Sequence, residues 1–160
     1  MSHKLESYNK ATRELLLLAE DYELPIVGKW SLPEIVKALR ESFKYQLTYW
    51  KVFGEHQPSN CPASTGFCSA ASYYIYLETG GANQWKFMQN PIHWWLEHNE
   101  YSGAFDVTYD QFPLLQFPSP VLPSMYRTGR KLESRIDTDK QWTKDLYEKA
   151  MILGKYAGLE

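Results

Sequence analysis

The sequence has only two cysteines, little net charge and no long apolar run, and each shortage argues against a class of protein. Its 160 residues carry a net charge of −2, whereas nucleic-acid binders usually present a basic face. No apolar stretch approaches the roughly 20 residues that a membrane span needs. Residues 1–6 lack the charged and apolar pattern of a signal peptide. We therefore expect a cytoplasmic protein that binds neither nucleic acid nor a membrane.

The two cysteines, Cys61 and Cys68, are expected to be free thiols, because disulfides are rare in a reducing compartment. Repeats, low-complexity tracts and linkers are also lacking, which predicts a single domain over residues 1–160. Its parts are a helical region (1–53), a site-bearing core (54–112), and a Pro-rich arm with a C-terminal helix (113–158). The last two residues resemble a cloning remnant and are excluded from the fold prediction.

Aromatic residues are abundant, with six Trp and twelve Tyr, and they predict a core or groove built from large flat side chains. Apolar spacing predicts an amphipathic helix over residues 5–22. Ser31 and Glu34 form a predicted capping box that starts a second helix, which ends near residue 44. A last helix is predicted after Asp137 and Thr138. Its apolar residues are Trp142, Leu146, Tyr147, Ala150 and Ile152.

Extended segments follow the middle of the chain, so the predicted class is α+β. Residues 92–97 alternate, with His93, Trp95 and Glu97 on one face, and residues 104–108 form a second strand of a hairpin. A turn symmetric about residues 99 and 100 places His93 directly opposite Asp106, with Cβ atoms about 4.5–5.5 Å apart. Four prolines between residues 113 and 123 predict an extended arm. Residues 127–135 are expected to form a basic loop.

The candidate nucleophile is Cys68, which follows a Pro/Ser/Thr/Gly turn region and opens a run of small residues. An apolar face and the pair Gly80 and Gly81 come next, which indicates a helix that starts at Cys68 and stops at glycine. Unpaired backbone N–H groups and the helix dipole stabilise a thiolate at that position. Downstream, His93 can act as the base and Asp106 can orient it.

Each of these three residues also has an ordinary structural explanation. A free cysteine is often an inert core residue, and a histidine can be satisfied by a core tyrosine or a backbone group. Asp106 can be satisfied by Thr108 or by local N–H groups. The order and spacing of the three favour a Cys68–His93–Asp106 triad, which needs no metal and no cofactor.

The motifs around the triad resemble those of known cysteine enzymes. Residues 93–97, Gly103 and residues 105–108 resemble the His-x-Trp-x-Glu…Gly…Asp-x-Thr signature of transglutaminase-like enzymes. Residues 66–71, the glycine pair at 80 and 81, His93 and residues 106–112 resemble the YunG-like family of small bacterial proteins. The likeness covers residues 38–112 and implies a papain-like core with the nucleophile at a helix N-terminus. This chain has Phe67 where that family usually has Gln before the cysteine.

Three further residues are candidates for the site. Asn60 and Gln57, just upstream of Cys68, can offer an amide to an oxyanion, although an amide that ties the loop to itself explains them as well. Trp95 shares the His93 face, so it can form the wall of a substrate groove or pack beneath the Pro-rich arm.

Three functions are compatible with this pattern. The first is a cysteine hydrolase or acyltransferase (peptidase, amidase, deamidase or transglutaminase-like) acting on a peptide or protein amide. The second is a catalytically silent papain-like scaffold that binds a protein partner. The third is a zinc site formed by Cys61, Cys68, His93 and His98. An odd separation places the two histidines on opposite faces of a strand, which disfavours the zinc site.

Overall fold

The computed structural model describes residues 3–111, 124–131 and 140–160, in which helices pack on a small antiparallel sheet. The helices are α1 His3–Asp21, α2 Leu32–Ser42, α3 Gln46–Phe53, α4 Cys68–Glu78, α5 Ser124–Arg127 and α6 Lys140–Tyr156. The strands are β1 Trp85–Gln89, β2 Trp94–His98, β3 Ala104–Phe105 and β4 Arg130–Lys131. The predicted α+β class is confirmed. The Pro-rich arm and the cap at Asp137 and Thr138 lie outside the described residues.

The first two helices form where the apolar spacing and the capping box predict them. In α1 the inward face carries Tyr8, Leu15 and Ala19, all buried. At the start of α2 the Ser31 hydroxyl accepts the Glu34 N–H at 3.3 Å, and the Glu34 carboxylate accepts the Ser31 N–H at 3.1 Å. This reciprocal pair satisfies two N–H groups that a helix end otherwise leaves unpaired.

Helix α4 carries the candidate nucleophile as its first residue, as predicted. Its C-cap is Thr79, and the following Gly80 has φ 114°, a left-handed conformation that glycine adopts without a Cβ penalty. The aromatic segment 48–53, inside the predicted helical region 1–53, lies in α3. Its aromatic and β-branched residues have modest helix propensity, so we attribute this helix to packing, because α3 lies against α6.

The sheet has the strand order β3-β2-β1-β4, and every neighbouring pair is antiparallel. The predicted β2–β3 hairpin forms, but its register is shifted by two residues, because Leu96 pairs with Phe105 rather than with Gly103. The observed turn includes hydrogen bonds from the N–H groups of Glu100 and Tyr101 to His98 Nδ1, which the predicted symmetric turn did not include. A shift of two leaves every side chain on its predicted face.

The prediction of a basic loop over residues 127–135 is wrong at residues 130 and 131, which form a strand. Arg130 and Lys131 form strand β4, which pairs with Gln89 and Met88 of β1. Two exposed basic residues on an edge strand give no alternating apolar pattern, so the sequence does not predict that this segment pairs with β1. This strand brings the preceding residues, including Tyr126, onto the sheet.

Helix α4 lies between α6 and the sheet, and the main core surrounds it. Leu159 belongs to this core, and its carbonyl accepts the indole N–H of Trp30 at 3.1 Å, so its exclusion from the fold prediction was wrong. A second, smaller cluster on the sheet joins Met88, Trp95 and Tyr126. None of the helices within the described ranges combines the length and apolar character that a membrane crossing requires.

Candidate active site

Cys68 stands at the N-terminus of α4, where the helix begins without a side-chain cap. The N-cap is Phe67, whose carbonyl accepts the N–H of Ala71 at 2.9 Å. Within the described residues no backbone partner is present for the N–H groups of Cys68 and Ser69, so they remain available as donors. The thiol is partly exposed and can reach a reagent or a substrate.

The loop before Cys68 is anchored by aromatic packing. Phe67 is fully buried, and its ring stacks on Phe43 with centroids 4.4 Å apart. Gly66 has φ 86°, and a Cβ there would lie 2.8 Å from the Tyr49 hydroxyl oxygen, so only glycine fits. Phe67 therefore serves as an anchor and supplies no amide to the site.

His93 and Asp106 are joined by a direct hydrogen bond. The His93 Nε2 and Asp106 Oδ2 atoms are 2.5 Å apart, and both side chains are excluded from solvent. His93 immediately precedes β2 and Asp106 immediately follows β3, so the hairpin brings them together. With the observed register they are diagonal neighbours on one face rather than the directly opposed pair that was predicted.

Three donors besides His93 surround the Asp106 carboxylate. Oδ1 accepts the Thr108 N–H at 3.1 Å and the Thr108 hydroxyl at 3.2 Å, and Oδ2 accepts the Tyr126 hydroxyl at 2.8 Å. These contacts satisfy the hydrogen-bonding capacity of the buried carboxylate and hold it in one orientation. Burial and the Asp106 charge both raise the pKa of Tyr126, which keeps this tyrosine protonated as a donor.

Cys68 completes the constellation, because it lies close enough to His93 to affect its protonation. Burial, the strongest single influence, lowers the pKa of His93. The Asp106 charge and hydrogen bond, together with a hydrogen bond and thiolate charge from Cys68, outweigh burial and raise that pKa from 6.5 to about 10. The arrangement therefore favours an imidazolium whenever the sulfur is ionised.

Gln111 is the site residue that the sequence reasoning missed. Its amide nitrogen lies 3.1 Å from His93 Nδ1 and 3.0 Å from the Thr108 hydroxyl oxygen. Its amide oxygen accepts the Gly66 N–H at 3.4 Å. The available signal was its place in the 106–112 segment that carries the family resemblance.

Trp95 is not a groove wall, which corrects one of the two predicted placements. Its side chain has no exposed surface. The ring packs on Tyr126 with centroids 5.0 Å apart and lies parallel to the His93 ring at 5.9 Å. Its indole N–H donates to Glu97 at 3.1 Å. Trp95 therefore supports His93 from behind.

The two oxyanion candidates do not contact the triad in this conformation. Gln57 donates its amide hydrogens to the carbonyls of Ala63 and Thr65, at 3.0 and 2.8 Å, so it ties the loop to itself. Asn60 is exposed and adopts φ 62°, a left-handed turn conformation that Asn tolerates. Both residues act in the loop, and neither points an amide at a described site residue.

The residues of the zinc hypothesis are not assembled. His98 lies in the aromatic core, where its Nε2 bonds to the Gln84 oxygen at 2.8 Å. Cys61 directs its sulfur at the Pro58 carbonyl, 2.9 Å away, and both cysteines are free thiols. Within residues 3–111, 124–131 and 140–160, no group of three or more Cys, His, Asp and Glu side chains is arranged to hold a metal ion.

No protein-family model, curated protein or solved structure matches this chain. The site's chemistry is therefore read from its own geometry. A thiol at a helix N-terminus, an imidazole beside it and a buried carboxylate behind the imidazole can generate and use a thiolate.

Proposed function

We propose that this chain is a cysteine hydrolase or acyltransferase that acts on amide or thioester carbonyls. The observation that carries the proposal is the line of Cys68, His93 and Asp106 at the start of α4. These side chains come from a helix start and both sides of a hairpin, and their order is that of a nucleophile, a base and an orienting acid.

The reaction begins with transfer of the thiol proton to His93. The Cys68 sulfur then bonds to the carbonyl carbon, and the electron pair of the C=O bond moves to oxygen. His93 gives its proton to the leaving amine or thiol as that bond breaks, which leaves an acyl group on Cys68. Water or an acceptor amine, deprotonated by His93, displaces the sulfur and restores the free enzyme.

Each supporting group has a defined task in this scheme. The Asp106 carboxylate accepts the Nε2–H of His93, which directs Nδ1 toward the sulfur and stabilises the imidazolium. The backbone N–H of Cys68, for which no backbone partner is present within the described residues, is available to stabilise the tetrahedral oxyanion. Tyr126 and Thr108 fix the carboxylate itself.

The motif resemblance extends the proposal to a papain-like core of the YunG-like kind and to a peptide or protein amide as the substrate. A small antiparallel sheet against a helix that begins at the nucleophile is compatible with that core. We further propose a cytoplasmic location, since a thiolate nucleophile is stable under reducing conditions.

The test is the alkylation of Cys68 by iodoacetamide between pH 5 and 8, followed by peptide mass spectrometry. Cys61 is the internal control, because both thiols are partly exposed and Cys61 bonds only to a loop carbonyl. Cys68 should react at pH 6 at least tenfold faster than Cys61, and His93→Ala should remove most of that advantage.

Equal reactivity of the two thiols, unaffected by His93→Ala, would overturn the proposal. The chain would then be the catalytically silent scaffold, whose binding to a protein partner survives Cys68→Ala. Elemental analysis of the purified protein separates a third outcome, because stoichiometric zinc would assign the thiol to a metal instead.

A further inference from the structure

Gln111 is held in one place by its neighbours along the chain. It ends a short 3₁₀ turn in which the Gln111 N–H bonds to the Thr108 carbonyl at 3.0 Å. The preceding Asp110 forms a two-point ion pair with the buried Arg40. The backbone of Gln111 is therefore held by the 3₁₀ turn and, through Asp110, by the ion pair with Arg40 in α2.

The orientation of the Gln111 amide follows from its partners. The Gly66 backbone N–H can only donate, so the amide oxygen faces it. The Thr108 hydroxyl gives its hydrogen to the Asp106 carboxylate, so toward Gln111 it can only accept. Both contacts require the amide nitrogen to lie on the side of Thr108 and His93.

The same nitrogen lies 3.1 Å from His93 Nδ1, and it can donate there only when Nδ1 carries no proton. An Nδ1 that accepts a hydrogen bond has a free lone pair, so this contact favours the neutral ring with its proton on Nε2, facing Asp106, over the imidazolium. Hydrogen bonds then close a ring through Asp106, Thr108, Gln111 and His93.

We propose that Gln111 is a positioning residue that competes with Cys68 for His93 Nδ1 and so opposes protonation of the imidazole, which makes the proton affinity of His93 lower than it would be without the amide. When the thiol proton moves to Nδ1, the amide hydrogen and the new N–H oppose each other, so Gln111 must turn away. The effect of Gln111 on His93 protonation exists whether or not Cys68 turns over a substrate. Only its consequence for catalysis rests on the proposed function.

The decisive experiment measures the His93 titration by nitrogen-15 NMR in a Cys68→Ala background, where the sulfur no longer contributes. Adding Gln111→Leu should raise the proton affinity of His93 on the order of fivefold, the effect of losing one hydrogen bond to the neutral form. Gln89→Leu is the matched control, because Gln89 is a half-buried glutamine of β1 without a described contact to the triad. An unchanged or lower midpoint for Gln111→Leu overturns the inference.

A second measurement needs no change at residue 111. In Cys68→Ala alone, neutral His93 should carry its proton on Nε2, with the nitrogen-15 shift of Nδ1 in the range of a hydrogen-bonded acceptor. A proton on Nδ1 overturns the inference.

A third measurement uses the reactivity of the thiol. In the otherwise unsubstituted chain, Gln111→Leu should speed Cys68 alkylation at pH 6 several-fold, and slower or unchanged alkylation contradicts the inference. A raised His93 midpoint with an unreactive Cys68 would sustain this inference while the proposed function fails.

Discussion

Arg40 and Asp110 form a buried, bidentate ion pair that ties α2 to the turn between Asp106 and Gln111. The guanidinium donates to both carboxylate oxygens, at 2.6 and 3.1 Å, and its remaining hydrogens reach Thr12 and the carbonyls of Tyr8 and Val107. Arg40 has no exposed surface. The pair thus connects the helical scaffold to the segment that carries the acid of the triad.

Asp110→Asn should destabilise the protein by about 3 kcal/mol, because it leaves the buried guanidinium without its counter-charge. Chemical denaturation monitored by tryptophan fluorescence measures the change. Glu41→Gln is the control, since it breaks the exposed pair with Lys44, 3.1 Å apart, and should cost at most about 1 kcal/mol. Equal losses for the two variants would mean that the buried pair has no special structural role.

The raised pKa of His93 predicts that stability falls as the pH rises. An unfolded histidine titrates near 6.5, and the folded value of about 10 includes the contribution of the Cys68 thiolate. In a Cys68→Ala variant the native state binds an extra proton between pH 6.5 and whatever higher pKa the Asp106 charge and hydrogen bond maintain against burial. The unfolding free energy should then decrease with a slope of up to about 1.4 kcal/mol per pH unit.

The pH dependence of the unfolding free energy is best compared between Cys68→Ala and Cys68→Ala/Asp106→Asn, because neither protein then contains the thiol. Without the thiol and the carboxylate, burial lowers the pKa of His93 with no opposing charge. The decline of the unfolding free energy above pH 6.5 should therefore disappear. Identical pH profiles of unfolding for the two proteins would contradict the prediction.

His98 predicts the opposite dependence on the acid side. Burial lowers the pKa of His98, against a smaller opposing effect of the Glu100 charge. Its Nδ1 accepts the N–H groups of Glu100 and Tyr101, at 3.0 and 3.4 Å, and protonation there breaks both bonds of the β2–β3 turn. Stability that the neutral ring provides above pH 6.5 should be lost as the pH falls below it.

NMR titration of His98 should show a midpoint below that of the same residue in denaturant. His98→Gln should flatten the acid limb of the stability profile. A native midpoint above the denatured one would reverse the sign and refute the interpretation.

Gly129→Ala should disturb the packing behind His93. A Cβ at residue 129 would lie 2.3 Å from Cζ2 of Trp95 and 3.0 Å from the Tyr126 carbonyl oxygen, far inside contact distance. We expect a loss of about 1–3 kcal/mol, the usual cost of overpacking, together with a changed near-ultraviolet circular dichroism spectrum.

The control for this substitution is Gly54→Ala. Gly54 has φ 72° and nothing within 4 Å of its would-be Cβ, so only the backbone cost of about 1 kcal/mol applies. A small loss of stability for Gly129→Ala, or a larger loss for Gly54→Ala than for Gly129→Ala, would show that the contact with Trp95 is not tightly packed.

Local chemistry explains what the sequence could predict. The start of α4 at Cys68 and its stop before Gly80 depend on residues adjacent in the chain, and so does the Ser31 capping box. Side-chain alternation placed His93 and Asp106 on one face, and that placement survived a register error because the error was an even number of residues.

The missed features depend on residues that are distant along the chain. Trp95 is buried because Tyr126 and Gly129 return to the sheet through β4, and no periodicity near Trp95 announces this. Gln111 reaches His93 from a turn whose position depends on Arg40 in another helix. Long-range packing of this kind overrides local pattern.

The hydroxyl of Tyr126 on Asp106 means that the environment of this carboxylate is built by two parts of the polypeptide. A fragment cut after residue 112 would retain Cys68, His93 and Asp106, yet the Asp106 carboxylate would lose a donor and Trp95 would lose its contact with Tyr126. Such a fragment could not be treated as a self-sufficient unit. Evolutionary or engineered changes in the C-terminal third therefore bear directly on the contacts of Asp106 and Trp95, although Cys68, His93 and Asp106 all lie outside it.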